Sequence, residues 1–385
     1  MTQIMEAEPP GTRTPAAMER ALLPDYLRLI ALFGIVIVNV QYIAFSALAG
    51  IADQVAQSTA DDITLFLVHG FALLKTYGLF SFIFGVGLGF LMRAADRRGL
   101  SFGKVYRNRM LGLLLLGMAH GLLFFPGDIL VIYAITGSIL YLFRDWSARR
   151  LVRLGAVLLV VQAVIIPVLV FIPDDTPAEF LDFERTVLVE GGFLDTAIFR
   201  SFGFAITLPV FLIFQGISAL GWFCLGLAAV KSGMIDNAAH PLWRRARRVC
   251  LLPGAALSLL GAAMWQWGAT LSGAALTLSI APLATLGYLG LIAAIARPPG
   301  PVMQRVLRAG GSSLSIYLGQ SILLTTIFSG YGFGLWEEVD RMTATLIAIG
   351  VTLLLIVMIA MWRLWFRQGP FELLLRRITY AGTAR

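Results

Sequence analysis

Ten apolar stretches recur along this chain, at about 26–48, 63–92, 110–125, 129–143, 152–172, 203–230, 249–268, 274–296, 312–329 and 343–366. A helix needs roughly 20 apolar residues to cross the ~30 Å hydrocarbon core of a bilayer, and most of these runs have that length. Hydrophobic residues make up 58% of the 385 and charged residues 14%, with a mean hydropathy of +0.82. These values lie outside the range of soluble domains. The predicted fold is all-α: a polytopic membrane helix bundle of about ten transmembrane helices. No soluble domain, linker or internal repeat is evident.

The charges give the bundle two unlike ends. Of the 30 Lys and Arg residues, only Arg185, Arg200 and Arg341 fall in loops on one side, and Arg28 and Lys75 fall inside spans. The other 25, from Arg13 and Arg20 through the Arg93–Arg109 and Arg244–Arg248 groups to Arg385, share the side of both termini. The positive-inside rule makes that side cytoplasmic. A net charge of +8 is thereby topological. It points to acidic lipid headgroups and excludes nucleic acid as a partner. The largest outer loop, about 173–202, is acidic, with Asp174, Asp175, Glu179, Asp182, Glu184, Glu190 and Asp195. It reads either as a solvated loop or as the mouth of an outward-facing site.

The first 22 residues are polar and lack the apolar core and cleavage site of a signal peptide. The organisation read from the sequence is a cytoplasmic tail (1–24), a membrane domain (25–368) and a tail (369–385). In that last tail, Gly369-Pro370 breaks the helix and a basic amphipathic helix follows, suited to the inner membrane surface. Cys224 and Cys250 lie in or beside apolar segments and imply no disulfide framework. No Cys/His cluster has zinc-like spacing, so no metal is expected.

Ionisable groups deep in a span cost roughly 2.5–3.5 kcal/mol on insertion scales, so each one needs a reason. At ~1.5 Å per residue, Asn39 lies about 16 Å beyond Arg28, and His120 about as far beyond Arg109. Lys75 falls mid-way along the second stretch, and Gln320 lies a dozen residues beyond Arg308. Four polar side chains from four segments thus fall near one plane. His69 and His240 read as ordinary surface or interface residues.

The stretch 118-MAHGLLFFPGDIL-130 joins two short runs of about 15 residues each. Pro126-Gly127 supplies a tight turn, making a short intramembrane hairpin over 110–143. Asp128 reads either as the N-cap of the returning helix or as the partner that orients His120. His120 reads either as a general base or as a neutral imidazole bonded to a helix carbonyl. Asp25 and Arg28 form either an i,i+3 pair or a cytoplasm-facing anion contact. Lys75 reads as a buried cation with a partner or an anionic ligand. In 84-FGVGLGF-90, Gly85 and Gly89 make a small-residue packing face rather than a nucleotide loop.

Four segments, 25-DYLRLIALFGIVIVNV-40, 75-KTYGLFSFIFGVGLGF-90, 107-RNRMLGLLLLGMAHGLLFFPGDILVIYAITG-137 and 366-FRQGPFELLLRRITY-380, resemble the YeiB-type integral membrane family (domain of unknown function 418). The resemblance runs in order over nearly the whole chain. The first-span pattern of an acidic residue, Arg28 and then Val38-Asn39 is also similar to heparan-α-glucosaminide N-acetyltransferase, and more distantly to type-3 membrane acyltransferases. Those proteins move an acyl group from cytosolic acyl-CoA to an acceptor presented from the other side of the membrane. The resemblance implies roles for Asp25, Arg28 and Asn39, and family-typical positions at Lys75, His120, Asp128, Tyr317 and Gln320. Three departures stand out. Leu29 follows Arg28 where the family usually has Gly, and Gly311 and Ile316 stand where Arg and Asn are expected. The segment 41-QYIAFSALAGIADQ-54 also lacks the histidine that serves the heparan enzyme. If the missing Arg holds CoA phosphates in the family, donor binding either differs here or uses neighbours such as Arg308.

The expectation is a membrane acyltransferase of the bacterial inner membrane with both termini inside. Acyl-CoA, in particular acetyl-CoA, is the donor, and the acceptor is a hydroxyl or amine on a glycan, lipid or small metabolite. His120 is the base, Asp128 its orienting partner, and Asn39 or Lys75 the oxyanion donor. Asp25, Arg28, Tyr317 and Gln320 are the donor-binding residues. Membrane lipids are partners, and homo-oligomerisation stays open. A small-solute transporter using the same polar residues is the alternative, and a non-catalytic membrane partner is the third reading.

Overall fold

The computed structural model describes residues 22–47, 58–171 and 176–383. The expectations for the N-terminal tail with Arg13 and Arg20, for Asp174 and Asp175, and for Arg385 lie outside the described residues. Among those described, helices α1 (Leu23–Ile43), α2 (Thr59–Leu67), α3 (Lys75–Arg97), α4 (Phe102–Leu123), α5 (Leu130–Leu140), α6 (Ala148–Ile165) and α7 (Ala178–Glu190) form the first half. Helices α8 (Phe193–Lys231), α9 (Pro241–Ala246), α10 (Leu252–Trp267), α11 (Thr270–Ile295), α12 (Pro301–Gly310), α13 (Ser313–Phe328), α14 (Arg341–Trp362) and α15 (Pro370–Thr379) complete it, with no strand among the described residues. Among the described residues, seven helical stretches are long and apolar enough to cross a membrane, and α5 and α13 are shorter apolar helices. The fold is that of a polytopic integral membrane protein.

Local chemistry sets the boundaries. Proline occupies the first turn of α1, α9, α12 and α15, where its missing N–H costs nothing. Ser147 Oγ accepts the N–H of Arg150 at the start of α6, and Asp340 accepts that of Thr343 at 2.6 Å at the start of α14. Two segments differ from the sequence reading. The hairpin's outgoing arm begins at Phe102, so α4 has 22 residues and spans ~33 Å. Lys104, Arg107 and Arg109 make its first turns look like a loop. The acidic outer segment is also helical, as α7 and the start of α8, and Glu184 and Leu188 turn inward.

Tertiary contacts sort the ends of the helices into two sets. At the basic end, Tyr26 bonds the carbonyl of Arg297, Arg93 pairs with Asp236, Lys231 bonds the carbonyl of Trp146, and Lys104 bonds that of Gly382. At the other end, Glu184 binds Ser46 and Ala47, Arg185 pairs with Glu337, and the Arg341 backbone N–H bonds Asp61.

Between the ends, packing relies on small residues that let backbones approach. A Cβ on Gly226 of α8 would sit 2.1 Å from the carbonyl oxygen of Phe82, and one on Gly85 of α3 2.2 Å from that of Phe223. Gly89 faces Val230 in the same seam, so the glycine run is a packing face.

The second crossing is broken. After α2, one π-helical turn ends at Ala72, Leu74 adopts the left-handed conformation (φ 59°), and α3 starts at Lys75. A left-handed non-glycine residue costs about 1–3 kcal/mol, so surrounding contacts must hold the break. The Lys75 ammonium, fully buried, donates to the carbonyl of His69 at 2.6 Å. Ser258 supplies a hydroxyl to the carbonyl of Gly70, and His69 stacks on Trp265 with ring centroids 3.9 Å apart.

Candidate active site

The hairpin of α4 and α5 places His120 one turn before the end of α4 and Asp128 just before α5. His120 Nδ1 lies 2.8 Å from Asp128 Oδ1, with both side chains essentially excluded from solvent. The second carboxylate oxygen, Oδ2, accepts the backbone N–H of Val131 at 2.8 Å. Asp128 therefore does both things read for it: it caps α5 and holds the imidazole. The carboxylate on Nδ1 selects the Nδ1–H tautomer and leaves the lone pair on Nε2. Nε2 is buried and has no hydrogen-bond partner among the described residues. Gly117, one turn earlier on α4, makes the closure possible, since a Cβ there would stand 2.8 Å from Asp128 Oδ2 and 2.7 Å from the Val131 nitrogen.

Tyr317 of α13 completes the group. Its ring lies 5.1 Å from that of His120, and its hydroxyl accepts the N–H of Ile129 at 3.4 Å. Phe125 closes another side with its ring 6.4 Å from the imidazole.

Two cavities flank this group, Tyr317 lining one and Phe125 the other, while His120 and Asp128 line neither. One, of ≈ 400 Å³, lies toward the basic end and is lined by Arg28, Arg98, Arg109 and Arg376, with Glu372 among them and Tyr133 and Tyr317 also on its wall. The other, of ≈ 330 Å³, is mainly apolar. Its polar groups include Asn39, Tyr42, Tyr77 and Gln215, and the hairpin turn Phe125–Gly127 forms part of it. Adjacent residues divide between the two: Ile129 lines the apolar cavity and Leu130 the arginine-lined one. Four guanidiniums in one hollow suit phosphate or another anion.

The other residues singled out in the sequence are dispersed. Asp25 pairs with Arg28 at 2.9 Å, and Arg28 also lines the arginine cavity, so its two readings are compatible. Asn39 reaches the apolar cavity. Gln320 donates to the carbonyl of Leu32 and to Thr352, tying α13 to α1 and α14. The Lys75 ammonium bonds the carbonyl of His69 at the helix break. Similar depth thus brought neither Lys75 nor Gln320 into contact with His120. Gly311 lines the arginine cavity, and Ile316 is buried in the core. Arg308 lines a different hollow, so Arg98, Arg109 and Arg376 are the cations that accompany Arg28.

Glu372 was not singled out in the sequence, although it is the sole carboxylate after Asp340. Its carboxylate accepts the N–H groups of Leu314 and Ser315 at 2.7 and 3.1 Å and the Ser315 hydroxyl at 2.5 Å. It caps α13 and fixes α15 against the bundle, where Leu375 and Ile378 meet Gly112 of α4. The C-terminal amphipathic helix is therefore part of the site's wall. Among the described residues, no three His, Cys, Asp or Glu side chains gather as a metal-binding group.

Fold and site together define a polytopic helical membrane protein with a buried His-Asp pair behind the Tyr317 and Phe125 rings that line two cavities. The profile of a family described as "Protein of unknown function (DUF418)" matches residues 229–382. The chain is 30% identical over 389 residues to "Uncharacterized protein YeiB" of Escherichia coli (strain K12), covering 94% of this chain and 97% of that protein. It is 29% identical over 386 residues to "Uncharacterized protein YxaH" of Bacillus subtilis (strain 168), covering 94% of each. No solved structure matches. The chain belongs to this YeiB-type family.

Proposed function

We propose that this protein is a membrane acyltransferase that moves an acyl group, in particular acetyl, from acyl-CoA to an acceptor hydroxyl or amine. The observation that carries the reading is a carboxylate-bound, buried histidine whose Nε2 has no partner among the described residues and which packs against Tyr317 and Phe125, the rings that line the two cavities. The arginine-lined cavity would take the phosphates of the donor. In this reading the basic end faces the cytoplasm of a bacterial inner membrane, with both termini inside. The acceptor would enter the mainly apolar cavity, a lining that favours a lipid or small apolar molecule over a glycan.

In the transfer, Nε2 takes the proton from the acceptor as its oxygen or nitrogen attacks the thioester carbonyl carbon. The carbonyl electrons move onto oxygen, and a hydrogen-bond donor stabilises that oxyanion. The Tyr317 hydroxyl suits this role, because it accepts from Ile129 and keeps its own hydrogen to donate. Lys75, engaged by the His69 carbonyl, suits it less. When the intermediate collapses the C–S bond breaks, and the departing thiolate takes the proton from Nε2. Asp128 stabilises the imidazolium between these steps. Opening the wall requires the Tyr317 or Phe125 ring to move, since both pack beside His120.

The broken second crossing beside the apolar cavity favours one other reading, a small-solute transporter. Purified protein incubated with radiolabelled acetyl-CoA and candidate acceptors separates the two. The acyltransferase reading expects thioester turnover that His120→Ala removes. Absent turnover, combined with solute uptake into proteoliposomes that His120→Ala abolishes, would establish the transporter instead.

A further inference from the structure

The basic end carries a second cationic hollow, of ≈ 720 Å³, whose wall includes Arg305, Arg308, Arg363 and Arg367 and, among the described residues, no carboxylate; the Arg363 guanidinium bonds the carbonyl of Arg308. Among the described residues, the guanidiniums of Arg305, Arg308 and Arg367 form no ion pair or hydrogen bond. Three exposed cations held together repel one another, so an anion that joins them is favoured.

The neighbouring surface identifies the anion's other half. Leu354, Val357, Met358 and Met361 of α14 are exposed at 52, 54, 47 and 51%. Their i,i+3/i+4 spacing makes one apolar stripe along a membrane-crossing helix. The stripe continues into Leu364 and Trp365, which are 76 and 75% exposed and line the hollow. An apolar stripe ending at clustered guanidiniums beside an interfacial tryptophan matches an amphiphile with an anionic head.

We propose that this hollow binds the headgroup of an anionic phospholipid whose acyl chains lie along the α14 stripe. Three guanidiniums with no ion pair among the described residues fit a headgroup with two phosphodiesters better than one. This site stands apart from the arginine cavity beside His120 and does not depend on the activity proposed for that cavity.

Native mass spectrometry of the full-length protein in detergent tests the assignment. The titrants are diphosphatidylglycerol, phosphatidylglycerol, phosphatidylcholine and inorganic phosphate. One diphosphatidylglycerol should bind more tightly than phosphatidylglycerol, and the other two should not compete. At ~1 kcal/mol per basic residue near a lipid surface, Arg305→Gln with Arg367→Gln should weaken binding roughly 30-fold, and Arg367→Gln alone about fivefold. Arg245→Gln with Arg248→Gln removes the same charge elsewhere at this end and should change nothing. Equal weakening by both pairs would overturn the site in favour of diffuse surface charge. Displacement of the lipid by inorganic phosphate at equal concentration would overturn it in favour of a free-anion pocket.

Discussion

Replacing Asp128 separates the two tasks of its carboxylate. In Asp128→Asn the amide oxygen can still accept the Val131 N–H, now 2.8 Å from Oδ2, so the cap on α5 survives. The amide NH2 then faces His120 Nδ1, 2.8 Å from the present Oδ1. A donor there forces the Nε2–H tautomer and removes the lone pair that the proposed mechanism uses as base. Each of the two bonds changes from charge-assisted to neutral, a loss of about 1 kcal/mol apiece, so stability should fall by about 1–2 kcal/mol. Activity should fall far more, by roughly 10²–10⁴-fold, as for other bases held in the wrong tautomer. Asp128→Ala leaves both nitrogens buried without a partner and should cost about 2–6 kcal/mol. Acetyl-CoA turnover and the thermal unfolding midpoint of the purified variants give the two numbers. Nitrogen NMR of histidine-labelled protein, with three histidines to assign, reads the tautomer directly. Wild-type turnover by Asp128→Asn with an unchanged His120 tautomer would refute the reasoning.

Glu372→Gln should release α15 by weakening the bonds to Leu314 and Ser315, at about 1–3 kcal/mol, detected as faster tryptic cleavage at Arg376 and Arg377. Gly226→Ala should destabilise the bundle by about 1–3 kcal/mol or more, because the added Cβ must displace the Phe82 backbone, and a lowered thermal midpoint would report it. Bonds from the Thr343 side chain and N–H hold the Asp340 carboxyl below its ordinary value. The stability this contributes is complete above the usual carboxylate pKa and disappears as pH falls through the lowered one. The gap in unfolding midpoint between wild type and Asp340→Asn should therefore be present at neutral pH and close in acid.

The crossings were legible in the sequence because lipid demands a long apolar helix wherever the chain traverses it. The start of α4 was hidden because Lys104, Arg107 and Arg109 mimic a loop, although long basic side chains can sit on a helix end and reach water. α7 was hidden for a similar reason, since its acidic face dominates a short segment whose buried side includes Glu184 and Leu188. The pairing of His120 with Asp128 was open to sequence reasoning because a Pro-Gly turn brings positions eight apart together. Lys75 and Gln320 show the limit of that reasoning. Counting residues gives depth along a helix axis but not the direction a side chain takes around it. Gln320 points to α1 and α14, and the Lys75 ammonium turns to the break before its own helix. The role of Glu372 depends on α15 folding back onto α13, which no local pattern specifies.

The most direct measurement uses sealed membrane vesicles of both orientations, with labelled acetyl-CoA supplied from outside. The proposal predicts that vesicles with the basic end outward consume the donor and label an acceptor, that oppositely oriented vesicles do not, and that His120→Ala abolishes the labelling. Equal labelling in both orientations, or labelling that survives His120→Ala, would contradict it.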